Sequence, residues 1–281
     1  MDFHPEISRK FESMGARIRL SDMEPRWRWT LDDLEPFNLN ILADRRGQYY
    51  DLQVNRNRVR RLFMLDVRPK QRHLLVFCSE RFRDENDVWQ DRDHRVLCGH
   101  DEREWFCAEL PPTKRVTTVN QAMEALMPNI VRNSLARRKV KGADRLKRKN
   151  PGYKRQGEWF FIPDPNFTPR DEVYHRNEPL MRGAGKPHLA EFLVRHGGKV
   201  VYVRTWGGMT LTQAGYESRM KFHPQAARET WIPRVENPIV HVKGWIRHPD
   251  HKTLVLHGWH RVEPNTEETE VGRIRRISFI D

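Results

Sequence analysis

Residues 37–54 read FNLNILADRRGQYYDLQV, and this stretch points directly to a fold class. Apolar and polar residues alternate from Phe37 to Ala43 and again from Tyr50 to Val54, which is the period of a half-buried β-strand. A turn-forming sequence, DRRGQ, separates the two runs. We therefore expect a β-hairpin over this stretch.

Similar pairs of apolar-rich runs follow further along the chain. Two more hairpins are expected, with arms at residues 59–67 and 73–79 and at residues 95–98 and 104–110. Six short strands in succession indicate an antiparallel sheet. The charged stretch between the second and third hairpins, residues 80–94, is expected to be a loop.

A helical segment follows this sheet. Thr118 and Gln121 have the spacing of a capping box, and apolar residues then recur at helical intervals as far as Ile130. Pro128 should kink this helix or split it in two. The expected fold class is α+β: mostly antiparallel β-sheet in two halves with a central amphipathic helical segment.

The sequence favours a division into two domains. Glycines and an Asn-Pro-Gly sequence make residues 142–157 a candidate linker. We expect an N-terminal domain, residues 1–150, that combines the hairpin sheet with the helix and a basic tract. The C-terminal domain, residues 151–281, is expected to be α+β, with a short helix at residues 187–195 and a final histidine-rich β-hairpin.

Composition limits the class of protein. The chain has 281 residues and a formal net charge of +13, and its nine Trp, thirteen Phe and six Tyr can build a core. No apolar run approaches the roughly 18 residues of a membrane helix. Three cysteines are not a disulfide framework. We expect a cytoplasmic protein with no membrane partner, and the sequence indicates no oligomeric state.

The excess charge is concentrated in residues 132–155, here called the basic segment. It contains eleven Lys and Arg residues and one acidic residue, Asp144, which gives +10. Such a density repels itself and favours a polyanionic partner. The candidate phosphate contacts are Arg137, Arg138, Lys139, Lys141, Arg145, Lys147, Arg148, Lys149, Lys154 and Arg155.

A second surface is expected on the C-terminal hairpin. With Pro249-Asp250 at the turn, Lys243, Trp245 and Arg247 share one face and interleave cations with an aromatic ring, as in surfaces that stack unpaired bases. The favoured function is nucleic-acid binding, with RNA or a single strand preferred over duplex DNA. No cofactor is expected for this function.

Two alternatives remain open. The first is a nuclease that uses His241, His260 and Glu158 as catalytic residues, with or without a divalent metal, since imidazoles exchange protons near neutrality. The second is an assembly protein whose basic segment docks on an acidic partner. The sequence does not decide whether the protein is an enzyme.

Two sets of residues are candidate metal ligands. His248, Asp250 and His251 flank the final turn, and Cys98, His100 and Cys107 lie around the turn of the third hairpin, where the two cysteines would face each other. The second set has the soft ligands that zinc prefers but lacks a C-x-x-C sequence. The sequence contains neither a phosphate-binding G-x-x-x-x-G-K-[ST] loop nor an H-E-x-x-H motif.

Overall fold

A computed structural model of the chain describes residues 4–24, 35–112, 115–169, 174–181, 186–267 and 277–279. The fold is α+β with several mostly antiparallel sheets, as the sequence predicts. The chain forms two compact units, unit 1 with residues 1–158 and 264–270 and unit 2 with residues 159–263 and 271–281. The division into domains at residue 150 stays a prediction.

Unit 1 contains nine strands and three helices in its described part. The helices are α1 (His4–Ser13), α2 (Val119–Ala125) and α3 (Asn129–Arg137). The strands are β1 (Ile18–Asp22), β2 (Phe37–Asp44), β3 (Gly47–Val54), β4 (Val59–Arg68), β5 (His73–Arg83), β6 (Trp89–Asp101), β7 (Glu104–Glu109), β8 (Lys149–Asn150) and β9 (Tyr153–Gln156).

The described part of unit 2 contains nine strands and one helix, α4 (Gln213–Phe222). The strands are β10 (Trp159–Pro163), β11 (His175–Leu180), β12 (His188–His196), β13 (Lys199–Arg204), β14 (Thr210–Thr212), β15 (Trp231–Glu236), β16 (Ile239–His248), β17 (His251–Pro264) and β18 (Ile277–Phe279). Five of them form a sheet in the order β11-β12-β16-β17-β10, and four form a second sheet in the order β14-β13-β15-β18.

The sheet β4-β5-β6-β7 is the centre of unit 1 and is covered on both faces. Leu74, Val76 and Cys78 of β5 pack in one core with α1 and the sheet β1-β3-β2, whereas Leu75 packs in a second core with α2. This double burial explains the uninterrupted apolar run of β5. Strands β2 and β3, β4 and β5, and β6 and β7 form antiparallel pairs, so the three N-terminal hairpins predicted from the sequence are present.

The predicted helical segment is also present, in two pieces. The Thr118 hydroxyl accepts a hydrogen bond from the Gln121 backbone N–H, and the Gln121 side chain bonds back to the cap, which completes the capping box. Pro128 separates α2 from α3, since its ring prevents a continuous helix. After β17 the chain returns to unit 1, where Thr266 donates to the carbonyls of Ala125 and Leu126.

Two predictions of local structure are wrong. Residues 80–94 are not a loop, because β5 continues to Arg83 and β6 begins at Trp89. Cations lie over aromatic rings along this extension, including Arg83 over Trp89 at 4.8 Å. The helix expected at residues 187–195 is strand β12, which pairs with β11 and β16.

No helix in the described ranges is long and apolar enough to cross a membrane.

Candidate functional site

The basic segment is folded rather than extended. The Asn150 side-chain amide donates to the carbonyls of Asp144 and Lys147, and its oxygen accepts from the backbone N–H of Gly152 and Tyr153. The Ser134 hydroxyl of α3 donates to the carbonyl of Gly152 at 2.7 Å. The stretch expected to be a linker is therefore folded on itself around Asn150 and joined to α3 by one buried hydrogen bond.

Some cations of this segment are neutralised inside unit 1. Arg148 forms ion pairs with Asp101 and with Glu102, and Arg155 lies 3.5 Å from Asp101. Burial, together with the charge of the neighbouring Arg155, lowers the pKa of Arg148 to about 10. Lys147 pairs with Asp144 at 2.5 Å. Three of the eleven cations therefore have carboxylate partners, and Asp101 and Glu102, the partners of Arg148 and Arg155, lie outside the segment, where the sequence does not indicate them.

Other cations of the segment face solvent and form no ion pair with a carboxylate in the described part of the chain, although Asp144 is near enough to Lys141 for their charges to interact. We call the following four exposed residues the basic surface: Arg137, Lys139, Lys141 and Lys149. Lys139 follows the end of α3 and has a left-handed φ of 51°. The next residue, Val140, donates its N–H to the Leu135 carbonyl. Of the remaining candidates, Arg138 is exposed, and Arg145 and Lys154 are half-buried.

The second predicted surface lies on the solvent side of β16. The Arg247 guanidinium lies 4.0 Å from the centroid of the Trp245 ring. The Lys243 ammonium lies between two rings, 5.6 Å from Phe192 and 5.3 Å from Trp259. The predicted alternation of cations and aromatic rings is present, and strand β12 adds Phe192 to it.

A two-residue turn at Pro249-Asp250 predicts that Arg247 pairs with Lys252, and the register of the C-terminal hairpin differs from this prediction by one residue. The turn is as expected, because His248 pairs with His251 around Pro249-Asp250. A bulge then shifts the pairing, so that Ile246 pairs with Leu254 and Trp245 with Val255. Ile246 and Leu254 are buried, whereas Val255 is 50% exposed. The predicted facing partners are wrong for this reason.

His241 is buried in a chain of polar contacts. Its Nε2 lies 3.1 Å from Asp164 Oδ2, and its Nδ1 lies 3.1 Å from His196 Nε2. Burial lowers its pKa, although Asp164 opposes this effect. The Phe167 ring lies flat on the imidazole, with centroids 3.7 Å apart. His241 is 3% exposed, and the Phe167 ring covers its imidazole. These contacts hold the side chain in place and leave little of it accessible to a substrate.

The predicted catalytic pair of histidines does not form. His260 pairs with Val242, the neighbour of His241, and adjacent residues of a strand point to opposite faces. His260 bonds through Nδ1 to the Gly258 carbonyl at 3.0 Å. Glu158 belongs to unit 1, in the turn before β10, and its carbonyl accepts from the Asn265 N–H.

Three histidines of unit 2 come together at the end of the hairpin. His188, His248 and His251 each offer a ring nitrogen within 4.8 Å of the other two, and we call them the three-histidine cluster. Of the predicted set His248, Asp250 and His251, the carboxylate is instead held by Lys186 at 2.9 Å. Burial lowers the pKa of His188 to about 3, and the other two histidines contribute to this effect.

The predicted zinc set in unit 1 does not converge. Cys98 pairs with Cys107 across β6 and β7, as expected, but the His100 ring lies on Trp105, with centroids 4.9 Å apart. Burial raises the pKa of the Cys98 thiol well above its usual value and that of Cys107 to about 11, which disfavours the thiolates that zinc binds. Within the described ranges, only the three-histidine cluster has the geometry of a metal site.

Comparisons with family models, with curated proteins and with solved structures found no significant match.

Proposed function

We propose that this protein binds single-stranded RNA or DNA through the basic surface. The proposal is supported by one observation above all: the four cations of this surface are exposed, and none of them forms an ion pair with a carboxylate in the described part of the chain. A phosphate backbone neutralises such charges with release of condensed counterions. The folded support of the surface, built on Asn150 and α3, reduces the conformational entropy lost on binding.

The aromatic face of β16 supplies the second part of the proposal. Trp245 is half-buried and the Arg247 guanidinium lies over its ring, so a cation and an aromatic ring are adjacent at this point of the sheet. Unpaired bases stack on such rings with about 1–3 kcal/mol per base. Phosphate contacts would then supply the salt-dependent part of the affinity, and stacking would supply the salt-independent part.

The test for the basic surface compares two quadruple variants of equal charge. In the first, Arg137, Lys139, Lys141 and Lys149 are changed to Gln. In the second, the exposed cations Arg9, Arg45, Arg60 and Lys70 of unit 1 are changed to Gln, so that both variants lose four charges. The probe is a fluorescein-labelled 20-nucleotide RNA, and binding is followed by anisotropy between 50 and 300 mM salt.

We expect the first variant to lose roughly 100-fold in affinity at 0.1 M salt and its log K against log salt slope to fall by up to about 3. The matched control should keep most of the affinity and slope. Equal losses in the two variants would mean that net charge, not this surface, attracts RNA. Absence of binding by the unaltered protein would overturn the proposal.

A single variant tests the stacking part. Trp245→Ala should weaken RNA binding by about 10-fold without changing the salt slope, because it removes a ring and no charge. Val255→Ala changes the residue paired with Trp245 and serves as the control. A Trp245→Ala protein with unchanged affinity would remove the β16 face from the proposal and leave the basic surface in place.

A further inference from the structure

Sheet pairing brings together three histidines that are distant in the sequence. His248 and His251 flank the turn between β16 and β17, and His188 is the first residue of β12. Because Leu189 pairs with Arg247 in antiparallel register, the preceding residue of β12 lies beside the following residue of β16. His188 is thereby placed next to His248, with ring centroids 4.2 Å apart.

We propose that the three-histidine cluster binds a divalent transition-metal ion of the zinc class. Three imidazoles suit Zn²⁺, Cu²⁺, Ni²⁺ and Co²⁺, whereas Mg²⁺ and Ca²⁺ prefer oxygen ligands. Three protein nitrogens leave a fourth tetrahedral position for solvent or a small anion. The cluster shares no residue with the basic surface or with the aromatic face of β16, and the proposal does not depend on the function proposed above.

His188 is the observation that points to a ligand. Its side chain is 1% exposed, and neither ring nitrogen has a hydrogen-bond partner among the residues that the structure describes. Buried polar groups nearly always have a hydrogen-bond partner or a ligand. An imidazole that has neither, and that lies beside two other imidazoles, therefore indicates a missing ligand. A metal ion bound to one of these nitrogens would satisfy it.

The geometry requires only side-chain movement. Bonds of 2.0–2.1 Å in a tetrahedron place ligand nitrogens about 3.4 Å apart. The three nitrogens already lie within 4.8 Å of one another, so rotation of the rings by their own torsions closes the site. The Asp250 N–H donates to His248 Nδ1 at 3.1 Å, which keeps a lone pair on that nitrogen. A metal bound at Nδ1 would replace this hydrogen bond.

Asp250 supports the site without belonging to it. Its carboxylate is held by Lys186 at 2.9 Å through both oxygens, and it lies between His248 and His251 in the sequence. This carboxylate acts on His248 and His251 through its charge, although the Lys186 ammonium offsets part of that effect. His248 and His251 are half-buried, which leaves access to the cluster from solvent.

The test uses the full chain after removal of metal with EDTA. Titration with Co²⁺ should give the visible absorption of a cobalt site with nitrogen ligands at one equivalent, and Zn²⁺ should displace the Co²⁺ with the same stoichiometry. We expect His188→Gln and His251→Gln each to weaken Zn²⁺ binding by 100-fold or more. His257→Gln, a change of an exposed histidine on β17, is the matched control and should bind as the unaltered protein does.

Circular dichroism of each variant establishes that it is folded. If His188→Gln does not fold, His251→Gln carries the test, because His251 lies at the half-buried end of the hairpin. Absence of stoichiometric binding by the unaltered protein would overturn the proposal. Binding that survives in folded His251→Gln, or that is lost equally in His257→Gln, would also overturn it.

Discussion

His94 is the centre of a charge network in unit 1 whose effect on stability should depend on pH. Its Nδ1 lies 2.7 Å from Glu109 Oε1, and its Nε2 lies 2.9 Å from Glu80 Oε1. Glu80 is 1% exposed and also pairs with Arg58 and Arg92. Only the charged imidazolium can donate to both carboxylates at once, so the native fold favours the protonated form.

The size of the effect follows from the pKa. Burial alone would lower the pKa of His94, but the hydrogen bonds to Glu109 and Glu80 outweigh burial and raise it to about 9. The unfolded value is about 6.5, and each pKa unit corresponds to 1.36 kcal/mol, so protonation stabilises the fold by on the order of 3 kcal/mol. Because the folded pKa is the higher one, this stability is complete below pH 6.5 and is lost as pH rises through 9.

The measurement is the free energy of urea unfolding at pH 6, 7.5 and 9.5. The unfolding of unit 1 is detected by pulse-labelling hydrogen exchange of peptides from β5 and β6. We expect the unaltered protein to lose most of this contribution between pH 6 and 9.5, in excess of any change in His94→Gln, which cannot titrate at this position. The exposed His257→Gln is the control and should follow the unaltered protein. Parallel curves for His94→Gln and the unaltered protein would refute the argument.

Two further predictions concern unit 2. Leu256→Ala should cost about 2–5 kcal/mol of unfolding free energy and Val255→Ala less than about 1, because Leu256 is 2% and Val255 50% exposed; the opposite order in urea denaturation would restore the register predicted from the sequence. Gly244→Ala should cost about 1–3 kcal/mol more than Gly258→Ala. Both glycines have a positive φ, 87° and 80°, but only at Gly244 would the new methyl group overlap the Glu191 carboxylate. Equal urea midpoints for the two variants would contradict this prediction.

Local signals in the sequence predicted the elements of unit 1 well. The alternation over residues 37–54 corresponds to β2 and β3, whose register pairs Leu39 with Leu52. The capping box at Thr118 and the break at Pro128 are both present. These features depend on residues within a few positions of each other, so the sequence alone contains the information that specifies them.

The errors in the predicted strands and helices came from strand pairing, which the sequence alone does not show. The spacing of His188 and Glu191 is compatible with a helix, but pairing with β11 and β16 makes the segment a strand. In the final hairpin, the bulge opposite Arg247 adds one residue to β17 and reverses which residues of that strand face the core. The first effect has no local signal, because β16 lies tens of residues beyond β12, whereas the bulge lies within the hairpin and depends on how its two strands pair.

The same reasoning applies to the charge. The sequence shows the density of the basic segment, but Asp101 and Glu102, which neutralise Arg148, lie nearly fifty residues before it. Only the fold separates internally paired cations from those available to a partner. The three-histidine cluster is the converse case, since the sequence suggested His248 and His251, and the fold supplied His188 as the third ligand.

The basic surface and the three-histidine cluster belong to different compact units. Whether they serve one function or two depends on the energetic coupling between RNA binding and metal binding. If Zn²⁺ raises the affinity for RNA by some factor, RNA must raise the affinity for Zn²⁺ by the same factor, because binding free energies are reciprocal. RNA anisotropy with and without saturating Zn²⁺ measures this factor, and His251→Gln should abolish any effect that arises at the cluster. A factor of one means that metal binding and RNA binding are independent, and a larger factor means that metal binding at the cluster regulates RNA recognition.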